Sequence, residues 1–284
     1  MIRINPRLTE KIAFLSLFLS TLAILIPVFL IMVKVIQAGL PVLNWEFLTA
    51  YPRLGMRAGG IFPAILGTIY LVLGTLIFSL PVGILAAIYL SEYARDHWFK
   101  RVIEVAIVNL AGVPSVVYGL FGLGLFVIFL KFGASILAGS LTLAIMSLPV
   151  IITASREALG TVPRSFREVS LALGATKWQT IRRAVLPNAL PGILTGTILA
   201  LSRAAGETAP ILFTVAAFYL PRLPHSVFDQ CMALPYHLYV ISTQVPNVKL
   251  SLQYGTALVL ILLVLVMNIV AIVIRAHFRK RKLW

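Results

Sequence analysis

An arginine and a glutamate stand four residues apart in a stretch otherwise fit for lipid. The string is Leu201-Ser202-Arg203-Ala204-Ala205-Gly206-Glu207-Thr208-Ala209-Pro210. Helical spacing puts Arg203 and Glu207 on one face. About fifteen residues into its apolar run, at 1.5 Å each, Arg203 falls about 22 Å along the helix and well inside a bilayer. A charge there costs about 2.5 kcal/mol or more, so such residues face a cavity or a partner. An always-charged planar fork matches a tetrahedral oxyanion. Two structural roles compete with an anion site: the pair neutralises itself within a helix bundle, or Arg203 pins a carbonyl of a neighbouring helix. Gly206 and Pro210 predict a weakened or bent helix beside the pair.

The element that leads into this span is charged and punctuated. Ser165 and Glu168 form S-x-x-E, a capping-box pattern at a helix start. Val169, Ala172 and Leu173 keep helical spacing, and Gly174 supplies a left-handed stop. Thr176 and Gln179 repeat the box for a second short helix, which Leu186-Pro187 is expected to end. The predicted product is a helix–turn–helix hairpin bearing Arg164, Arg167, Lys177, Arg182 and Arg183. An amphipathic hairpin resting on lipid headgroups fits this pattern equally well. Apolar spans on both sides argue against a DNA-reading helix-turn-helix.

Composition settles the class. Of 284 residues, 60% are hydrophobic and only 12% charged, too apolar for a soluble domain. The formal charge of +15 marks segment ends rather than one face, a topology signal and not a nucleic-acid footprint. One cysteine, Cys231, excludes an internal disulfide, and His97, His225, His237 and His277 have no metal-ligand spacing.

Six apolar spans are predicted, making an all-α integral membrane protein: about 12–35, 62–90, 105–130, 134–154, 188–217 and 255–274. The first is too long for a signal-peptide core and is expected to remain as an anchor. Six crossings place both termini on one side. Seventeen of the 24 Lys and Arg residues fall on that side and six on the other, so the positive-inside rule makes it the cytoplasm. No lysine follows a glycine, which excludes a Walker A loop, and there is no G-x-S-x-G elbow. Any ATP used must be hydrolysed by another chain.

The loop Glu168-Val169-Ser170, with Gly174 and then Ala184-Val185-Leu186-Pro187, resembles the E-A-A loop of ABC importer permeases. Val169, Ser170 and Ala184 depart from its pattern. Arg203 to Pro210 resembles the signature of phosphate-specific importer permeases, Ala209-Pro210 being similar to the A-type subunit. Ala58-Gly59-Gly60-Ile61, Gly112-Val113-Pro114-Ser115 and Leu234-Pro235-Tyr236-His237 also resemble that family, which is matched from about Leu40 to Ile274.

The resemblance implies a type I ABC importer permease fold. Residues 1–61 would be an anchor helix and extracytoplasmic loop, and 62–284 the permease domain with coupling loop 156–187. It implies a coupling helix seated on a cytoplasmic ATPase dimer through Glu168, Gly174, Ala175, Leu186 and Pro187, and substrate translocation past Arg203, Glu207 and Thr208. The implied partners are a paralogous permease and an extracytoplasmic phosphate-binding protein, in a bacterial inner membrane, with ATP and magnesium held by the ATPase and no cofactor in this chain. A permease for sulfate or molybdate, and an ion-coupled carrier without an ATPase, are the competing readings.

Overall fold

The computed structural model of the chain describes residues 6–220 and 222–279. Arg3 and the basic run Lys280, Arg281 and Lys282, which enter the charge asymmetry, lie outside the described residues. Helix α1 (Pro6–Gly39) is exposed along most of its length and reaches the rest of the chain near its end, where Gly39 closes onto the backbone of Tyr254. A short helix α2 (Trp45–Thr49), capped by the Asn44 carboxamide, and a two-residue hairpin β1 (Pro52–Arg53) and β2 (Ala58–Gly59) follow. Then come α3 (Phe62–Ile88), α4 (Trp98–Ala111), α5 (Ser115–Gly122), α6 (Ile136–Gly160), α7 (Arg164–Ala172) and α8 (Lys177–Thr180). Helices α9 (Leu186–Gly206), α10 (Ala209–Thr214), α11 (Leu234–Thr243) and α12 (Leu250–Arg279) complete the chain.

Among the described residues, five helical segments are long and apolar enough to cross a membrane, and the pair α4–α5 makes a sixth if counted as one span. That pair corrects the expectation of an unbroken helix over 105–130, because it bends by 104° between Ala111 and Ser115. Pro114 has no N–H to donate and drives the residue before it out of the helical region, so the chain must turn at Gly112-Val113-Pro114. The span expected over 188–217 is also shorter. Its helix ends at Gly206, and Glu207 is extended (φ −73°, ψ 134°) before α10 begins.

Two details of the hairpin differ from expectation. Pro163 takes the cap position of α7, which places Ser165 inside the helix and removes the S-x-x-E box. Pro187 does not end the second helix. A wide helical turn over Ile181–Val185 carries the chain from α8 into α9, where proline falls in the first turn and needs no donor. Thr176 and Gln179 do form the reciprocal capping box.

The framework is α3, α6 and α9 packed side by side around two apolar clusters. One cluster joins Leu71, Leu143, Ile211, Val215, Leu234 and Val240. The other, beside the hairpin, joins Ile88, Ile152, Leu159, Ile181, Val185 and Ile193. Small residues set the spacing where lipid gives no hydrophobic drive: a Cβ on Gly196 would stand 2.2 Å from that of Ala154. Helix α12 joins α9 through polar contacts, Ser202 to Asn268 and Arg275 to Thr195 at 3.1 Å.

Between α10 and α12 the chain returns to pack on α3. Thr68 accepts the amide of Leu234 at 2.8 Å, and a Cβ at Gly67 would fall 1.9 Å from the Met232 carbonyl. Because that obstacle is backbone, Gly67→Ala should cost about 1–3 kcal/mol by overpacking. It should lower the thermal midpoint of the solubilised protein, whereas Gly124→Ala, with open space around it, should not.

His237 of α11 is buried against Met56, Gly60 and Thr256, its Nδ1 has no hydrogen-bond partner among the described residues, and burial pushes the imidazole down to about 4. An unfolded histidine protonates near pH 6.5, so the unfolded state takes up the proton first as acid is added. Stability should therefore fall as pH drops from about 6.5 towards about 4. Hydrogen exchange across 234–243 should show that slope in the native chain and a flatter one in His237→Gln.

Candidate functional site

The site is built where α9 stops. The last turn of a helix leaves carbonyls without intrahelical partners and carries the negative end of the helix dipole. Arg203 sits in that turn, so the dipole favours its charge. The chain then leaves the helix at Glu207, whose amide still reaches the Ala204 carbonyl at 3.3 Å. Although Glu207 is off the helix, its Oε1 lies 3.3 Å from Arg203 Nε. The structure therefore keeps the pair while replacing the expected shared helix face with a helix end.

The contact uses Nε and a single carboxylate oxygen, so the two terminal amino groups of Arg203 take no part in it. The arginine side chain is 50% exposed on this chain and the glutamate 16%. An exposed pair at this spacing is worth about 0.3–0.5 kcal/mol in water. Glu207 thus aims the guanidinium without using up its donors. Among the described residues Arg203 donates to no carbonyl of a neighbouring helix, which removes one of the two structural roles open at the level of sequence.

The surroundings are tightly packed on one side and open on the other. Glu207 lines a cavity of about 10 Å³ with Thr68, Leu71, Leu143, Ala204 and Pro235, room for about one water. Thr208, half-buried, stands in the break before α10. Arg203 and Leu199 lie one turn apart on the exposed face of α9. Tyr118, which the sequence did not single out, donates to the Leu110 carbonyl at 2.8 Å across the α4–α5 break and lies within electrostatic reach of Arg203. Asn268 likewise escaped notice, although a carboxamide in an apolar span is a readable signal. Among the described residues no group of three or more His, Cys, Asp or Glu converges as metal donors would.

The hairpin residues are a second group, at the opposite end of α9. Gly174 has φ +82°, and it closes α7 with two bonds, its own amide to Leu171 at 2.9 Å and that of Ala175 to Ser170 at 3.2 Å. Glu168 and Pro187 are exposed, Ala175 and Leu186 half-buried. Val169, Leu171, Leu173 and Trp178 are large apolar side chains left exposed on the same hairpin, as a docking surface requires. In the segment between α10 and α11, Asp229 accepts the amides of His225 and Ser226, which hold its carboxyl below the usual range. Cys231 is buried and its thiol pushed up to about 12.

Comparison with known proteins accords with this arrangement. Residues 79–284 match the family model for the binding-protein-dependent transport system inner membrane component. The chain is 34% identical to the phosphate transport system permease protein PstA 1 of Mycobacterium tuberculosis, over 98% of this chain and 92% of that one. It is 32% identical to the probable ABC transporter permease protein YqgI of Bacillus subtilis, over 94% and 95% respectively. Among solved structures, a bacterial alginate ABC transporter in complex with its alginate-bound periplasmic protein shares the fold, with TM-score 0.69, 16% identity and 93% of each chain covered. The spans, the hairpin and the charged helix end therefore belong to a multi-pass inner-membrane transport subunit, and the chain is a member of the binding-protein-dependent transport system inner membrane component family.

Proposed function

We propose that this chain is a membrane-spanning permease subunit of an ATP-driven inorganic phosphate importer and that phosphate passes the end of α9 at Arg203. The observation that carries this reading is the open fork of Arg203, oriented by Glu207 through one contact and half exposed on the face of α9. Relatives named as phosphate permeases, 34% identical over nearly the whole chain, support the choice of anion. A paralogous permease would cover that face and complete the path. An extracytoplasmic binding protein would deliver phosphate, and a cytoplasmic ATPase dimer would hold the ATP and magnesium. Both termini and the hairpin lie in the cytoplasm on this reading, as the 17-to-6 charge asymmetry requires.

In operation, closure of the ATPases on ATP pushes the hairpin through Glu168, Gly174, Ala175, Leu186 and Pro187. The α8–α9 rod passes that displacement on without a break, since Lys177–Gly206 is one continuous helical segment. Phosphate leaving the binding protein meets the terminal amino groups of Arg203 with two of its oxygens. Glu207 and Thr208 stand beside it. Phosphate near neutral pH still carries a proton, which Glu207 accepts as a hydrogen bond. Sulfate has none to donate and would leave the carboxylate repelled and unpaired.

Transport by the reconstituted complex tests both roles. Arg203→Ala should cut phosphate uptake by about a hundredfold or more, because two hydrogen bonds to a charge, each about 1.5–3 kcal/mol, are lost. The complex should still assemble. Uptake that persists in Arg203→Ala makes the arginine structural. Glu207→Gln should narrow the preference for phosphate over sulfate, and an unchanged preference removes the carboxylate from selectivity.

A further inference from the structure

Arg167 of α7 is tied at once to the ends of α3 and α6. Its Nε and Nη2 hold the Glu92 carboxylate at 3.1 and 2.6 Å, while Nη1 donates to the Val162 carbonyl at 2.8 Å and Nη2 to the Leu159 carbonyl at 3.0 Å. Glu92 stands on the wide helical turn Tyr89–Tyr93 that ends α3. Leu159 and Val162 lie at the end of α6 and just beyond it. One guanidinium therefore joins the hairpin to the cytoplasmic ends of two of the three framework helices.

Physical chemistry explains why arginine stands there. The final carbonyls of α6 lack intrahelical partners and sit at the negative end of its dipole, so a cation is favoured. Glu92 neutralises that cation, and with side chains only 22% and 10% exposed the pair is poorly screened by water. A lysine supplies the charge but not the planar fork that reaches a carboxylate and two carbonyls together.

Packing beside α7 is incomplete. A cleft of about 480 Å³ opens beside it, bounded by Ser91, Glu92, Leu159, Arg164 and Glu168, and Arg167 forms part of its wall. Phe166 rests against the nearby apolar cluster, and Ser170 shares a hydroxyl contact with Thr180 at 2.9 Å. The Arg167 fork is the polar link that ties α7 to the ends of both α3 and α6.

We propose that Arg167 is the positioning residue that makes α7 move as one body with the ends of α3 and α6. A push on the hairpin then reaches the framework helices instead of being absorbed by α7. The proposal rests on the reading of this hairpin as the docking element for the ATPase.

The test uses the full complex in proteoliposomes, with phosphate import and ATP hydrolysis measured together. Arg167→Lys and Glu92→Gln should each keep most of the hydrolysis while phosphate imported per ATP falls roughly fivefold or more, because lysine keeps the charge but cannot reach the carboxylate and both carbonyls together, and glutamine removes the charge that holds the fork. The double variant should be no worse than the worse single one, as two halves of one contact require. Hydrolysis and import falling in parallel, or an unchanged ratio, would overturn the proposal. If Arg167→Lys fails to assemble, Glu92→Gln decides, since it retains the shape of the contact. A native complex that hydrolyses ATP without importing phosphate would instead sink the underlying functional reading.

Discussion

The termination of α9 beside a charged residue is the constraint from which the rest of the molecule follows. An apolar chain holds a guanidinium at a helix end and steadies it with one carboxylate contact at 3.3 Å. Had the helix run on, Arg203 would have been a charge on the side of a rod, far from any dipole end. With Gly206 closing the helix and Pro210 opening the next, the charge gains a favourable field and a carboxylate displaced from the helix face. Its donors stay available because the ion pair is monodentate.

The rest of the packing keeps that end in place. Close approaches such as Gly196 on Ala154 make α6 and α9 a stiff pair. Thr68 and Gly67 on α3 seat the return segment between α10 and α12, so the packed side of the site, where Glu207 lies, is bounded by backbone. At the far end of the same helical segment lies the hairpin with its exposed apolar side chains. A displacement there travels along a continuous helix, and bistable packing rather than bending is the expected response of such rods.

Much of this was legible in the sequence. Apolar runs gave the spans, and Arg203 with Glu207 stood out because charge in an apolar run is costly. Gly174 marked a left-handed turn and Thr176 with Gln179 a capping box, both present. Three of the differences turn on proline in its local context. Pro187 falls in a first turn and is harmless, Pro163 displaces the cap from Ser165, and Pro114 breaks a span that hydropathy alone leaves whole. Arg167 and Glu92 lie 75 residues apart, and no local pattern joins residues at that distance.

The most direct measurement is the aqueous accessibility of the face that carries Arg203. Leu199, one turn before it, is 66% exposed, whereas the native Cys231 is buried with its thiol raised to about 12 and so stays unreactive. In the assembled complex, Leu199→Cys should react with a membrane-impermeant cationic thiosulfonate, and phosphate should slow that reaction. Labelling by membrane-permeant reagents alone, indifferent to phosphate, would place Arg203 on a lipid-facing or sealed surface and contradict the account.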